Sequence, residues 1–243
     1  MPRTIVMKSL AQVVAALSRS QNVSDIRKAR DLEVLDEVAR TLWSGRCIVR
    51  GVGAGEQAAL CLAVTLNDVA GLVLCGDQPV LQHRWDLLVY LPAHYPYARP
   101  DVRFEAGTVP FNPHVLHRDS IIDEETLPRE MVQFLEAMRR GQEGWMCYAA
   151  SWSPLATHDL ALLVWQVGRI LGGRVLGEKY SLNNSARDYY LRLAGEGRLP
   201  LGPPLPLPCT FAGQDAAADP IDSDDQDVEI FEEESQHAHS ATH

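Results

Sequence analysis

Basic residues are missing from the C-terminal part of this chain: from Cys209 to His243 there is no Lys or Arg, against ten Asp and Glu. Taking those ten from the 32 acidic residues leaves 22, equal to the 22 Lys plus Arg. The formal charge of -10 therefore belongs to the tail, and the body is neutral. A neutral body offers no basic face to a nucleic-acid backbone, whose binding depends on Lys and Arg neutralising phosphates. Long apolar runs are also absent; none approaches the roughly 20 residues that cross a bilayer. The apolar patch 10–17 is interrupted by Gln12, and no small-residue cleavage site follows it. With Leu10, Val13, Val14 and Leu17 at helical spacing, it reads as an amphipathic helix rather than an export signal.

Paired cysteines are lacking too. Cys47, Cys61, Cys75, Cys147 and Cys209 are an odd number with no paired spacing. They imply no disulfide framework, and a reducing cytoplasm is the expected compartment. The first three lie in apolar, strand-like surroundings, where cysteine behaves as a small hydrophobe. His114, His117 and Cys147 have no fourth partner at a zinc-binding spacing, so no metal is expected, and no cofactor either.

The residues that are present predict an α+β layout without internal repeats. Residues 1–24 form an N-terminal extension with helical patterning. A helix over 25–43 follows, with Ser24 as its cap, a stripe of Leu32, Leu35, Val38, Ala39 and Leu42, and Gly45 as its stop. Strands are expected at 46–52, 58–66, 70–75, 85–91 and 102–104, in an antiparallel meander. A second amphipathic helix, 127–140, carries Leu127, Met131, Phe134, Leu135 and Met138 on one side. A third, 157–171, is apolar on most faces and should be buried. A last helix covers 185–193. Residues 199–208, Leu-Pro-Leu-Gly-Pro-Pro-Leu-Pro-Leu-Pro, form an extended spacer that excludes helix and central strand. The acidic tail, 209–243, has the composition of a disordered segment.

The most informative stretch is 95–104, Tyr-Pro-Tyr-Ala-Arg-Pro-Asp-Val-Arg-Phe. Proline fixes its own φ and pushes the residue before it towards extended geometry, so this is a stiff corner between two strands. After it come Asn112-Pro113-His114-Val115, then Cys147, then Trp152-Ser153-Pro154 and the buried helix. Corner, Pro turn, Cys and Trp-Ser-Pro in this order resemble the ubiquitin-conjugating enzyme (UBC-like) family. The segment Leu182-Asn183-Asn184-Ser185-Ala186 is similar to the family's approach to its C-terminal helix.

The resemblance covers roughly residues 25–195, within an expected domain 25–198. It implies an N-terminal helix, an antiparallel β-meander, a buried helix and a C-terminal helix, with an inserted helical segment (118–143) before the catalytic Cys. Three departures stand out. The family's His-Pro-Asn turn reads Asn-Pro-His here. The interval between turn and Cys147 is long, and Trp152 follows Cys147 closely. Compact, divergent versions of this kind resemble bacterial conjugating-enzyme-like proteins. Those are encoded beside ubiquitin-like modifiers and activating enzymes in antiphage operons.

The resemblance implies that Cys147 accepts the C-terminal carboxyl of a ubiquitin-like modifier as a thioester from an activating enzyme. It then passes the acyl group to a lysine of a protein substrate. Of the five cysteines, Cys147 has the most accessible context, between Gly141 and Gly144 and a small polar run; a packed structural cysteine is the alternative. Amine attack creates an oxyanion that needs a fixed donor. His114, in the family's Asn slot, and Asn112 are candidates, a protonated His114 being the stronger donor. Both can instead satisfy backbone groups of the turn. Asn183, with Asn184 and Ser185, could orient the amine, while capping the last helix suits Ser185.

The inserted helix either packs on the core or forms a lid. In the tail, Val228, Ile230 and Phe231 lie in a β-prone run with acidic flanks, able to add a strand to a partner's sheet or merely to solubilise. The alternatives to an active enzyme are a catalytically inactive UBC/RWD-type binding scaffold and an unrelated thiol hydrolase. No Asp or Asn stands out to complete a triad for the latter.

Overall fold

A computed structural model of the chain describes residues 7–53, 60–117, 144–148, 159–176 and 181–208. All of them belong to the first of two units into which the chain divides, Met1–Thr210; the second, Phe211–His243, lies outside the described residues. The expected helix 127–140 and Trp152-Ser153-Pro154 lie outside them too, as do Val228, Ile230 and Phe231. No helix among the described residues is long and apolar enough to cross a membrane.

Two helices open the fold. In α1 (Leu10–Leu17) the Ser9 side chain accepts a hydrogen bond from the Gln12 N–H, and Val13 is buried in the core. Lys8 and Val52 exchange backbone hydrogen bonds, which docks the expected extension onto the first strand. The second helix, α2 (Val23–Thr41), starts two residues earlier than its pattern suggests. Asn22, not Ser24, is its cap, accepting from the Ser24 N–H at 2.9 Å. Ala29, Leu32, Leu35, Val38 and Ala39 turn one face into the core at spacings of three and four.

Five strands form one antiparallel sheet in sequential order: β1 (Cys47–Gly53), β2 (Leu60–Cys75), β3 (Gln78–Leu91), β4 (Asp101–Phe104) and β5 (Trp145–Met146). Where the residue pattern suggests two strands, 58–66 and 70–75, β2 is a single long one. The register shifts between Asn67 and Gly71, and Asp68 takes a positive φ of 54°. The Trp85 indole N–H donates to the Val69 carbonyl at 2.7 Å, filling the space beside this bulge. A Cβ at Gly71 would stand 2.5 Å from the Trp85 ring, so only glycine fits there.

The helical layer covers one face of the sheet. In α3 (Leu160–Leu171), Asp159 is the cap, accepting from Leu162 N–H at 2.8 Å, and the helix is buried between α2 and β2 as its apolar faces require. The last helix, α4 (Asn184–Gly195), packs Ala186, Tyr190 and Leu193 on Leu72 and Phe111 in a smaller second cluster.

Residues 199–208 form neither helix nor strand, as their prolines dictate, but they do not behave as a free spacer. Four successive carbonyls are held: Arg46 donates to those of Pro203 and Pro204, Trp165 to Leu205 and Trp43 to Pro206. Leu205 is 1% exposed and joins the main core, so the run is a strap rather than a linker.

The corner is fixed from α2. Tyr95 is fully buried and its hydroxyl donates to the Asp31 carboxylate, which also receives both-oxygen contacts from Arg27 Nε at 2.8 Å. Ser24 Oγ donates to the carbonyls of Ala93 and Tyr95, and Lys28 Nζ to Ala93. The Tyr95–Pro96 peptide is cis.

Two substitutions test this account by urea denaturation. Gly71→Ala should destabilise by about 1–3 kcal/mol, because the new methyl overpacks a rigid indole. Tyr95→Phe should cost about 1–3 kcal/mol, since it strips a hydrogen bond from a buried carboxylate. A midpoint unchanged in either variant contradicts the packing described.

Candidate functional site

Glycine starts the segment that bears Cys147. Gly144 has φ 84°, and a Cβ there would meet the Phe104 carbonyl oxygen at 2.8 Å; its own carbonyl accepts from Phe104 N–H at 2.9 Å. From Gly144 the chain runs into β5, which pairs with β4 through Val102 opposite Met146. On its other side β5 is laced to the residues after the Asn-Pro-His turn. Gly144 N–H donates to Leu116 O (2.8 Å), Leu116 N–H to Trp145 O (2.9 Å) and Cys147 N–H to His114 O (2.9 Å). The turn and the cysteine, far apart in sequence, are thus hydrogen-bonded neighbours.

A third segment joins them. The Pro113 carbonyl accepts from Leu182 N–H (2.8 Å) and from Ser181 Oγ (3.0 Å), which brings the approach to α4 against the same turn. Cys147, His114, Asn112 and Asn183 therefore belong to one cluster of three chain segments.

Their individual surroundings separate their roles. Asn112 is fully buried; its Nδ2 donates to Ile170 O at 2.9 Å, and its Oδ1 accepts from His114 N–H at 3.0 Å. An amide so committed shapes the turn and is closed to an incoming oxyanion. Asn183, 3% exposed, caps α4 by accepting from Ala186 N–H at 3.0 Å. The cap is therefore Asn183 where the sequence suggests Ser185, which is exposed inside the helix.

His114 is half-buried. Desolvation lowers its pKa, outweighing the Val175 and Cys147 backbone groups that pull it up. The imidazole is accordingly neutral at neutral pH and is not the protonated, stronger donor that the sequence left open. Its Nε2 is buried and has no hydrogen-bond partner among the described residues.

Cys47 and Cys61 are buried thiols. Burial pushes Cys47 up to about 12 and Cys61 up to about 11, so neither supplies thiolate near neutral pH. Cys75 is exposed at the β2–β3 hairpin, Cys147 is half-buried at the end of β5, and Cys209 lies outside the described residues. Among the described residues no three His, Cys, Asp or Glu side chains group as metal ligands.

Sequence patterns did not single out the aromatic frame of the cysteine. Trp145 and Tyr148 flank it, the Tyr148 hydroxyl donates to Pro100 O (2.7 Å), and Trp145 Nε1 approaches Asp101 Oδ1 (3.4 Å). The signal was there, as two aromatic residues within two positions of the thiol.

The neutral imidazole has a pH signature. As pH falls through roughly 6.5, an unfolded histidine takes up a proton that buried His114 resists, so stability drops below that pH and is unaffected above it. Urea midpoints measured between pH 7.5 and 5.5 should fall less in His114→Gln than in the parent; an equal fall contradicts the desolvated imidazole.

No family model matches the chain, and no curated protein matches it. Among solved structures it is similar to the UEV domain of yeast Vps23, determined in complex with a Vps27 PSDP peptide. Identity is 17%, over 70% of this chain and 95% of that one, with a TM-score of 0.35. So loose a likeness bears no weight on function. The chain itself is a mixed α+β domain with a five-stranded antiparallel sheet and four helices among the described residues.

Proposed function

We propose that this chain is a divergent, UBC-like conjugating enzyme in which Cys147 carries a ubiquitin-like modifier as a thioester. The observation that supports this reading best is the backbone bond from Cys147 to His114. The resemblance to conjugating enzymes expects the Pro turn beside the cysteine, and the two meet here despite the long interval between them.

In the first step the Cys147 thiolate attacks the thioester carbonyl that joins the modifier to an activating enzyme, and that enzyme's thiolate leaves. In the second, a substrate lysine amine attacks the Cys147 thioester. The tetrahedral oxyanion collapses, the Cys147 thiolate is expelled, the amine loses its proton and an isopeptide bond remains. Asn112 is committed inside the turn, and a neutral His114 has a single N–H, already drawn to the Val175 and Cys147 backbone groups, so neither side chain is assigned as the donor to that oxyanion. The partners are a ubiquitin-like modifier, its activating enzyme and a protein substrate, in a bacterial antiphage setting in the cytoplasm.

A second reading is a catalytically inactive binding scaffold of the UBC/RWD type. It is favoured by the turn itself: the family's Asn slot holds His114, and the amide of Asn112 is buried and committed.

One reconstitution decides between them. The protein is mixed with the activating enzyme, modifier and ATP. An active enzyme gives an adduct that thiol reductants cleave and that Cys147→Ala abolishes. Absence of that adduct, with modifier binding retained in Cys147→Ala, sinks the enzyme reading and favours the scaffold.

A further inference from the structure

The corner does more than turn the chain, because its middle residues reach the strand end that bears Cys147. The Arg99 guanidinium lies 5.8 Å from the centroid of the Trp145 ring and 5.5 Å from that of Tyr148. These rings stand two residues before and one residue after the thiol. The next two corner residues hold the same pair, Pro100 through the Tyr148 hydroxyl and Asp101 through the Trp145 indole. Residues 99–101 therefore grip both flanks of Cys147, while Met146, between Trp145 and the thiol, is buried and pairs with β4.

Tyr148 shows the proximity electrostatically. Burial raises its phenol pKa, and the positive charge of Arg99 is what pulls it back down. A cation over aromatic faces is attracted by their quadrupoles, and more strongly when partly desolvated, as Arg99 is here.

We propose that Arg99 is a positioning residue for Cys147: its charge clamps Trp145 and Tyr148 and thereby holds the thiol in a single half-buried pose. The functional meaning of that pose rests on the reading of Cys147 as the acyl acceptor. Bulk alone does not provide the clamp, because the attraction to two rings comes from the charge. Lysine retains it; methionine retains length and loses it.

The test is alkylation of the full chain by iodoacetamide, followed residue by residue by mass spectrometry. Exposed Cys75 is the internal reference, and buried Cys47 and Cys61 report on the integrity of the fold. In Arg99→Met the Cys147 rate relative to Cys75 should rise about three- to fivefold, the worth of a partly exposed cation–π clamp. Cys47 and Cys61 should stay protected, and Arg99→Lys should remain near the parent rate. Three results overturn the proposal: an unchanged Cys147 rate in Arg99→Met, an equal rise in Arg99→Lys, or simultaneous labelling of Cys47 and Cys61. Because no modifier is present, the outcome is independent of thioester formation. A parent protein that shows the clamp but forms no thioester overturns the acyl-acceptor reading and leaves Arg99 as the determinant of thiol pose.

Discussion

Asp31 is a carboxylate buried in the body of the domain, and the arrangement around it governs where the corner lies. Burial raises its pKa, while the Tyr95 hydroxyl and the Arg27 guanidinium pull the other way. A buried charge is tolerable only when its oxygens are occupied, so Asp31 requires both partners in place. Arg27 comes from the preceding turn of α2, whereas Tyr95 must be delivered by the turn that follows β3. Satisfying one carboxylate thus ties the first long helix to the exit of β3. The hydroxyl of Ser24 and the ammonium of Lys28 close the same junction through backbone carbonyls.

From that junction the consequences run outward to the thiol. With Tyr95 pinned, Arg99, Pro100 and Asp101 are set at the start of β4, where they meet Trp145 and Tyr148. The opposite flank of β5 is set by the Asn112-Pro113-His114 turn, which is held from beneath by Asn112 on the last turn of α3. Cys147 therefore sits between two rigid supports, each anchored in a helix. Its accessibility contrasts with that of Cys47 and Cys61, which the core has made inert.

Several elements were legible because local chemistry and periodicity agree with the final packing. The stripe of α2, the apolar faces of α3 and the strand at 102–104 follow from side-chain spacing alone. Others depended on distant partners. Ser24 has the composition of a cap, but Asn22 takes that place and Ser24 serves the corner. The break between 66 and 70 is a bulge within one strand because Trp85 fills the space beside it. Residues 199–208 carry the composition of a spacer, yet Trp43, Trp165 and Arg46 bind their carbonyls.

By itself the sequence determined the α+β class, the neutral body with its acidic tail, the place of the corner and the candidacy of Cys147, because composition, periodicity and proline restraint act within a few residues. Tertiary structure alone decided which polar groups are spent on the framework. Asn112 and Asn183 are consumed by a carbonyl and a helix end, His114 is desolvated to its neutral form, and Arg99 is drawn between two rings beside the thiol. Those outcomes turn on burial and on partners from remote segments, and neither quantity is encoded in the spacing of neighbouring residues.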